Sequence, residues 1–171
     1  MGDVPSRVIC EVLRYPDRRL KQPASPVSDV TPEVESLVAD LWDTAASYPR
    51  TVGIAAPQIG APWRVCVVNC TGHKKVPDPH GPLVLINPRI VASEGAEVGR
   101  EGCLSLPEIT ANVRRPTSVA VKFLDLNGDE QHLSAEGFEA RVILHEIDHL
   151  DGVLILDRVA SITLDVFERR R

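Results

Sequence analysis

The chain has 171 residues, 43% apolar and 25% charged, with 19 Lys and Arg against 24 Asp and Glu for a formal net charge of −5. A chain of that length buries about two-thirds of its unfolded surface without needing disulfides or a metal for cohesion, and its composition excludes a disordered or fibrous protein. The acidic balance gives no general footprint for DNA or an anionic membrane, and the apolar runs are too short to span a bilayer. The first residues lack the basic-then-apolar layout of a secretory signal. One domain over residues 1–171, in the cytoplasm, with Cys10, Cys66, Cys70 and Cys103 as thiols, is the expectation. Two short matches, MGDVPS for N-myristoylation and Asn69-Cys70-Thr71 for N-glycosylation, are read as chance.

In chain order, VTPEVESLVADLWDTAASYP predicts a helix. Thr31 is its N-cap, Pro32 fits the first helical position, and Val34, Leu37, Val38, Leu41, Trp42 and Ala45 form one apolar stripe. Strand-like pieces follow in WRVCVVN, LVLINP, AEVGREG and TSVAVKFLD, with Cys66 and Cys70 in the core. The loop Lys74–Pro82 reads as exposed, and Asn127-Gly128 signals a hairpin into EQHLSA. From about Gly137 the period changes to that of a second helix, which Gly152 stops. The last segment predicts a short third helix whose ERRR end is solvated.

On the second helix His145 and His149 lie four apart, so both side chains leave one face, with Glu146 between them. This is HExxH, in which two His hold a metal and the Glu moves protons for an attacking water. The alternative is an amphipathic helix with two surface His. A catalytic metal wants a third protein ligand. The HExxHxxGxxH extension fails, since Ile155 occupies the last position. Downstream Asp157, Asp165 and Glu168 would make a metallopeptidase, while upstream Cys103 in EGCLSLP is the better candidate. A thiolate and two imidazoles leave a divalent ion one net positive charge, enough to activate water for hydrolysis, but do not choose among zinc, iron, nickel and cobalt.

A third segment, TVGIAAPQIG at 51–60, joins EGCLSLP and HEIDH in an order and spacing that resemble the peptide deformylases over nearly the whole chain. The resemblance implies an α+β fold of one domain, with antiparallel β-sheets packed around a central helix carrying HExxH. It implies a metal-dependent hydrolase that removes the N-formyl group from the initiator methionine of nascent polypeptides. It further implies Cys103, His145 and His149 as ligands of one divalent ion, Fe2+ natively with Zn2+, Ni2+ or Co2+ in purified protein. Glu146 is then the general acid and base, Gln58 and the Leu104 N–H are the oxyanion donors, and Gly53 meets the substrate backbone. Val52, Val142 and Leu106 are expected around the methionine side chain. Glu101, Asp148 and Arg115 are candidates for a charge network behind the ligands. A non-catalytic binder of formylated N-termini is the remaining alternative, against which the Glu146 proton shuttle argues. Contact between the basic tail and the ribosome is a further expectation, weaker than a solvated terminus. Thr51 and Leu144 stand where the family commonly has Gly and Gln.

Overall fold

The computed structural model describes residues 6–170, so most of the MGDVPS match lies outside the described residues. Helix α1 spans Pro32–Ala46 and strands β1 to β3 are Gly53–Ala55, Val65–Val68 and Leu83–Glu94. Strands β4 to β7 are Glu97–Cys103, Leu106–Arg115, Ser118–Leu124 and Glu130–Glu136. Helix α2 follows directly at Gly137–Leu150, then the single turns α3 at Ile155–Arg158 and α4 at Ile162–Asp165, and β8 at Val166–Glu168. Every paired strand is antiparallel, in a five-stranded sheet ordered β1-β2-β3-β6-β7 and a three-stranded sheet ordered β4-β5-β8. No helix among the described residues is long and apolar enough to cross a membrane.

The period-two alternation of β2 explains how the larger sheet is filled on both faces. Val65 and Val67 pack with Val38 and Leu41 of α1, whereas Cys66 and Val68 pack with Ile143, Leu144 and Ile147 of α2. A third cluster joins Leu106, Ala111 and Val113 of the small sheet to Leu20, Leu154 and Ile155. Helix α2 is therefore buried over nearly its whole circumference, from Glu139 to Leu150 apart from His145. Gly152, at φ 73°, ends it, and a Cβ there would sit 2.6 Å from the Lys21 carbonyl oxygen.

Several expectations change. Thr31 is the N-cap of α1 but makes no side-chain capping bond. β3 does not end at Pro88. It passes through a bulge there, with Asn87 at φ 51° and its side chain exchanging two 2.8 Å hydrogen bonds with the Val27 backbone. The hairpin at Asn127-Gly128 is present as a longer loop, because the Asp125 carboxylate gathers the Asn127 and Asp129 N–H groups. The Lys74–Pro82 loop is pinned rather than free, since Val76 is buried and the His80 ring bonds the buried Glu139 carboxylate. The short helix expected in the C-terminal segment is present as α4, but the chain continues past it into β8, whose Val166 and Phe167 pair with Ala111 and Thr110.

Candidate active site

The two sheets meet at a cleft of about 420 Å³, lined by residues from each of the three motifs. Helical spacing brings the His145 and His149 rings to 5.0 Å between centroids, and Cys103 Sγ lies 3.3 Å from His149 Nε2. One donor atom from each of these residues falls within 4.8 Å of the others, with Cys103 and His149 buried and His145 slightly exposed along the cleft. Cys103 reaches this point because β4 and β5 slip register between Gly102 and Cys103, ahead of the two-residue turn at Leu104 and Ser105.

The donor chemistry fits a divalent cation. Burial resists ionisation of the Cys103 thiol, yet the neighbouring His149 and His145 imidazoles hold its pKa well below the ordinary value. Burial likewise resists protonation of His145, which the Cys103 sulfur and the Glu101 carboxylate overcome, pushing its pKa well up. Sulfur and imidazole thus draw each other toward thiolate and imidazolium, a charge complementarity that a divalent ion held by both can supply instead. His145 Nδ1 bonds Glu101 Oε1 at 2.8 Å, which leaves Nε2 for the ion, and His149 presents Nε2 beside the sulfur.

Behind these three residues stands the expected charge network, larger than the sequence suggested. Arg115 Nε and Nη2 donate to the two Glu101 oxygens at 2.7 and 2.9 Å, and its Nη1 donates to Asp148 Oδ2 at 2.8 Å. Arg141 adds a 2.8 Å bond to Glu101, and Arg158 holds Asp148 through bonds of 2.8 and 3.1 Å. Burial pushes the Glu101 carboxyl upward, but bonds from His145 and Arg115 outweigh it and bring the pKa to about 2. Its negative charge fixes the His145 tautomer. Arg141 and Arg158 were not expected in this network. A Cβ at Gly99 would lie 2.8 Å from the Arg141 guanidinium carbon, so that glycine is the local trace of the missed arginine.

Glu146 is buried, and burial raises its pKa despite the two neighbouring imidazoles. Its Oε2 has no hydrogen-bond partner among the described residues, an unusual state for a buried carboxylate. Gly53 lies against it. A Cβ at Gly53 would fall 3.0 Å from Glu146 Cγ and Oε1 and 3.1 Å from the Val67 carbonyl. Gly53→Ala should therefore displace the carboxylate and lower the turnover of any reaction in which it takes part by about tenfold or more, which steady-state kinetics checks.

Gln58 is fully enclosed. Its Oε1 accepts the Ala55 N–H at 3.0 Å, so its Nε2 points inward, 3.1 Å from Ser105 Oγ and 3.7 Å from Cys103 Sγ. Ser105, absent from the sequence reading, is a buried partner of that amide. Leu104, Val52 and Val142 line the cleft together with Phe138, which the sequence reading did not place there. Leu106 is a correction, because it faces Cys103, Ala111 and Val113 in the core of the small sheet. The rival third ligands are elsewhere: Asp157 bonds Lys21 and the Leu154 N–H, Asp165 accepts the Ser161 N–H, and Glu168 is exposed on β8. A larger hollow of about 720 Å³, beside His80 and Glu139, contains no such ligand cluster among the described residues.

The sequence profile described as "Polypeptide deformylase" matches residues 9–164. The chain belongs to the polypeptide deformylase family. A peptide deformylase of Thermodesulfovibrio yellowstonii is 38% identical over 162 residues, covering 95% of this chain and 96% of that protein. The crystal structure of a peptide deformylase from Legionella pneumophila superposes with a TM-score of 0.83 at 37% identity, covering 91% of this chain and 88% of that one. A Met-Ala-Ser-bound class I type b deformylase from Acinetobacter baumannii gives 0.83 at 33% identity, covering 90% and 100%.

Within this deformylase fold the two departures are readily placed. Leu144 is 5% exposed and packs in the α2 core beside Ile143 and Ile147. Leu144→Gln should bury an amide and cost about 1–3 kcal/mol of stability, measured by denaturant melts, while kcat/KM stays within about tenfold. Thr51 lines the cleft with an ordinary negative φ, because the left-handed position falls on Arg50, at 71°.

Proposed function

We propose that this deformylase family member hydrolyses the N-formyl group of formyl-methionyl nascent polypeptides in the cytoplasm, releasing formate, with Cys103, His145 and His149 as the complete protein ligand set of one divalent ion. When bound there, the ion supplies Lewis acidity toward water and the formyl carbonyl. Iron(II) is the native ion in this reading, with zinc, nickel or cobalt able to take its place in purified protein. Glu146 takes the proton of the attacking water and hands it to the peptide nitrogen as the C–N bond breaks. Its enclosed, unpartnered oxygen supports that role, since a carboxylate with no structural bond is free to exchange a proton.

Gln58 Nε2 and the Leu104 N–H donate to the oxyanion that develops at the formyl oxygen. The Ala55 bond to Gln58 Oε1 fixes which end of the amide faces the cleft. Gly53 pairs with the substrate main chain, and Val52 and Val142 contact the methionine side chain, with Phe138 as an added wall. The observation that carries the reading is the convergence of Cys103, His145, His149, Glu146 and Gln58 on one small cleft. The relative bound to Met-Ala-Ser supports a peptide in that cleft.

Protein purified anaerobically, with its metal content measured, should release formate and free Met-Ala-Ser from formyl-Met-Ala-Ser. Cleavage at the Met-Ala or Ala-Ser bond would favour the peptidase alternative. Tight binding without formate release would favour the pure binder.

A further inference from the structure

The end of the chain carries positive charge onto the rim of the cleft. β8 pairs Phe167 with Thr110, and the Arg169 N–H then donates to the Glu108 carbonyl at 2.9 Å, which fixes the direction of the tail. The Arg169 guanidinium lies on Gly102, where a Cβ would collide with it. Arg100 stacks its guanidinium 3.7 Å from the Phe167 ring centroid and bonds Asn112 Oδ1 at 3.0 Å and Thr110 Oγ1 at 3.3 Å. Arg50, arriving ahead of β1, and Arg170 also line this opening.

All four arginines are exposed, and among the described residues none forms a salt bridge. The deeper arginines differ, since Arg115 and Arg141 are consumed by Glu101. Among the described residues, the only carboxylates in the cleft wall are Glu101, already paired, and the enclosed Glu146. Four cations with no carboxylate partner among the described residues, at one concave opening in a chain of net charge −5, form a local field opposite in sign to the whole molecule.

We propose that this rim binds a carboxylate side chain of the formylated peptide beyond its methionine, so that acidic residues at the second or third position are preferred. The proposal rests on the deformylase reading. Arg169 lies over the residue next to Cys103, and a peptide advances about 3.3 Å per residue, so a chain whose formyl group sits at the ligand cluster passes the rim within its next one or two residues. Guanidinium forks match carboxylates in geometry as well as charge. RNA phosphate would use the same charges, but these line a recess shared with Val52 and Phe138.

The test compares kcat/KM for formyl-Met-X-Ser and formyl-Met-Ser-X amides with X as Asp, Ala or Lys; amidation leaves the side chain as the sole carboxylate. In the wild type, Asp should exceed Lys by about tenfold at low ionic strength at one of the two positions, and the ratio should shrink toward one near 1 M salt, where the screening length is about 3 Å. Arg100→Gln with Arg169→Gln should bring the ratio to about twofold or less, and Arg169→Glu, which changes the rim by the same two charges, should lower it to a similar extent. Because the readout is a ratio, a general loss of turnover does not imitate it. Hydrolysis of the Ala peptide with a wild-type ratio near one, or a ratio unchanged in the variants, would overturn the proposal alone. A ratio near one together with ribosomal RNA binding lost in the double variant would assign the rim to RNA, also overturning it. No hydrolysis of any formyl peptide would overturn both this proposal and the deformylase reading.

Discussion

Glu146→Gln is expected to keep the metal and to lose formate release by about two orders of magnitude or more, the scale of a positioned acid and base. The substitution is nearly isosteric, and Glu146 makes no ion pair among the described residues, so the fold should survive. The amide cannot take a proton from water. Metal analysis and single-turnover formate release on the same sample separate the two consequences. Near wild-type turnover would refute the proton role and remove the main argument against a pure binder.

Replacing any one of Cys103, His145 or His149 by Ala should strip the metal or weaken its binding by several orders of magnitude, because two donors hold an ion far less firmly than three. Cys103→Ala should have the further effect of leaving His149 Nε2 without its nearest polar neighbour. Asp157→Ala, Asp165→Ala and Glu168→Ala should leave metal content unchanged, since those carboxylates serve Lys21, a helix start and the surface. Equilibrium dialysis against a chromophoric chelator checks both groups. Full occupancy in Cys103→Ala with loss in a downstream variant would restore the peptidase ligand set.

The parts of the site legible in the sequence were those encoded by short spacing. His145, Glu146 and His149 announce themselves through the helical repeat, and the two apolar faces of β2 follow from strict alternation. Cys103 was legible only in combination, because a lone thiol in a Gly- and Pro-flanked segment has no local signature. Arg141 and Arg158 were missed for a different reason. Their partners Glu101 and Asp148 lie 40 and 10 positions away, and nothing local distinguishes a buried arginine from a solvated one. The same arginine problem hid β5, whose inward positions run Ala111, Val113, Arg115, so that a buried charge interrupts the apolar alternation. β8 is three residues long and depends on an edge provided by β5, so its ERRR continuation read as a loose terminus. In the fold, that continuation is what brings Arg169 and Arg170 to the cleft.

The most direct measurement of the central claim is a metal titration of the chelated protein with formate release followed at each addition of iron(II), under anaerobic conditions. One centre built from Cys103, His145 and His149 predicts that the rate of formate release from formyl-Met-Ala-Ser rises in proportion to metal bound and levels off at about one ion per chain. Formate release that is already complete in the chelated protein, or one bound ion per chain with no formate released, would contradict it.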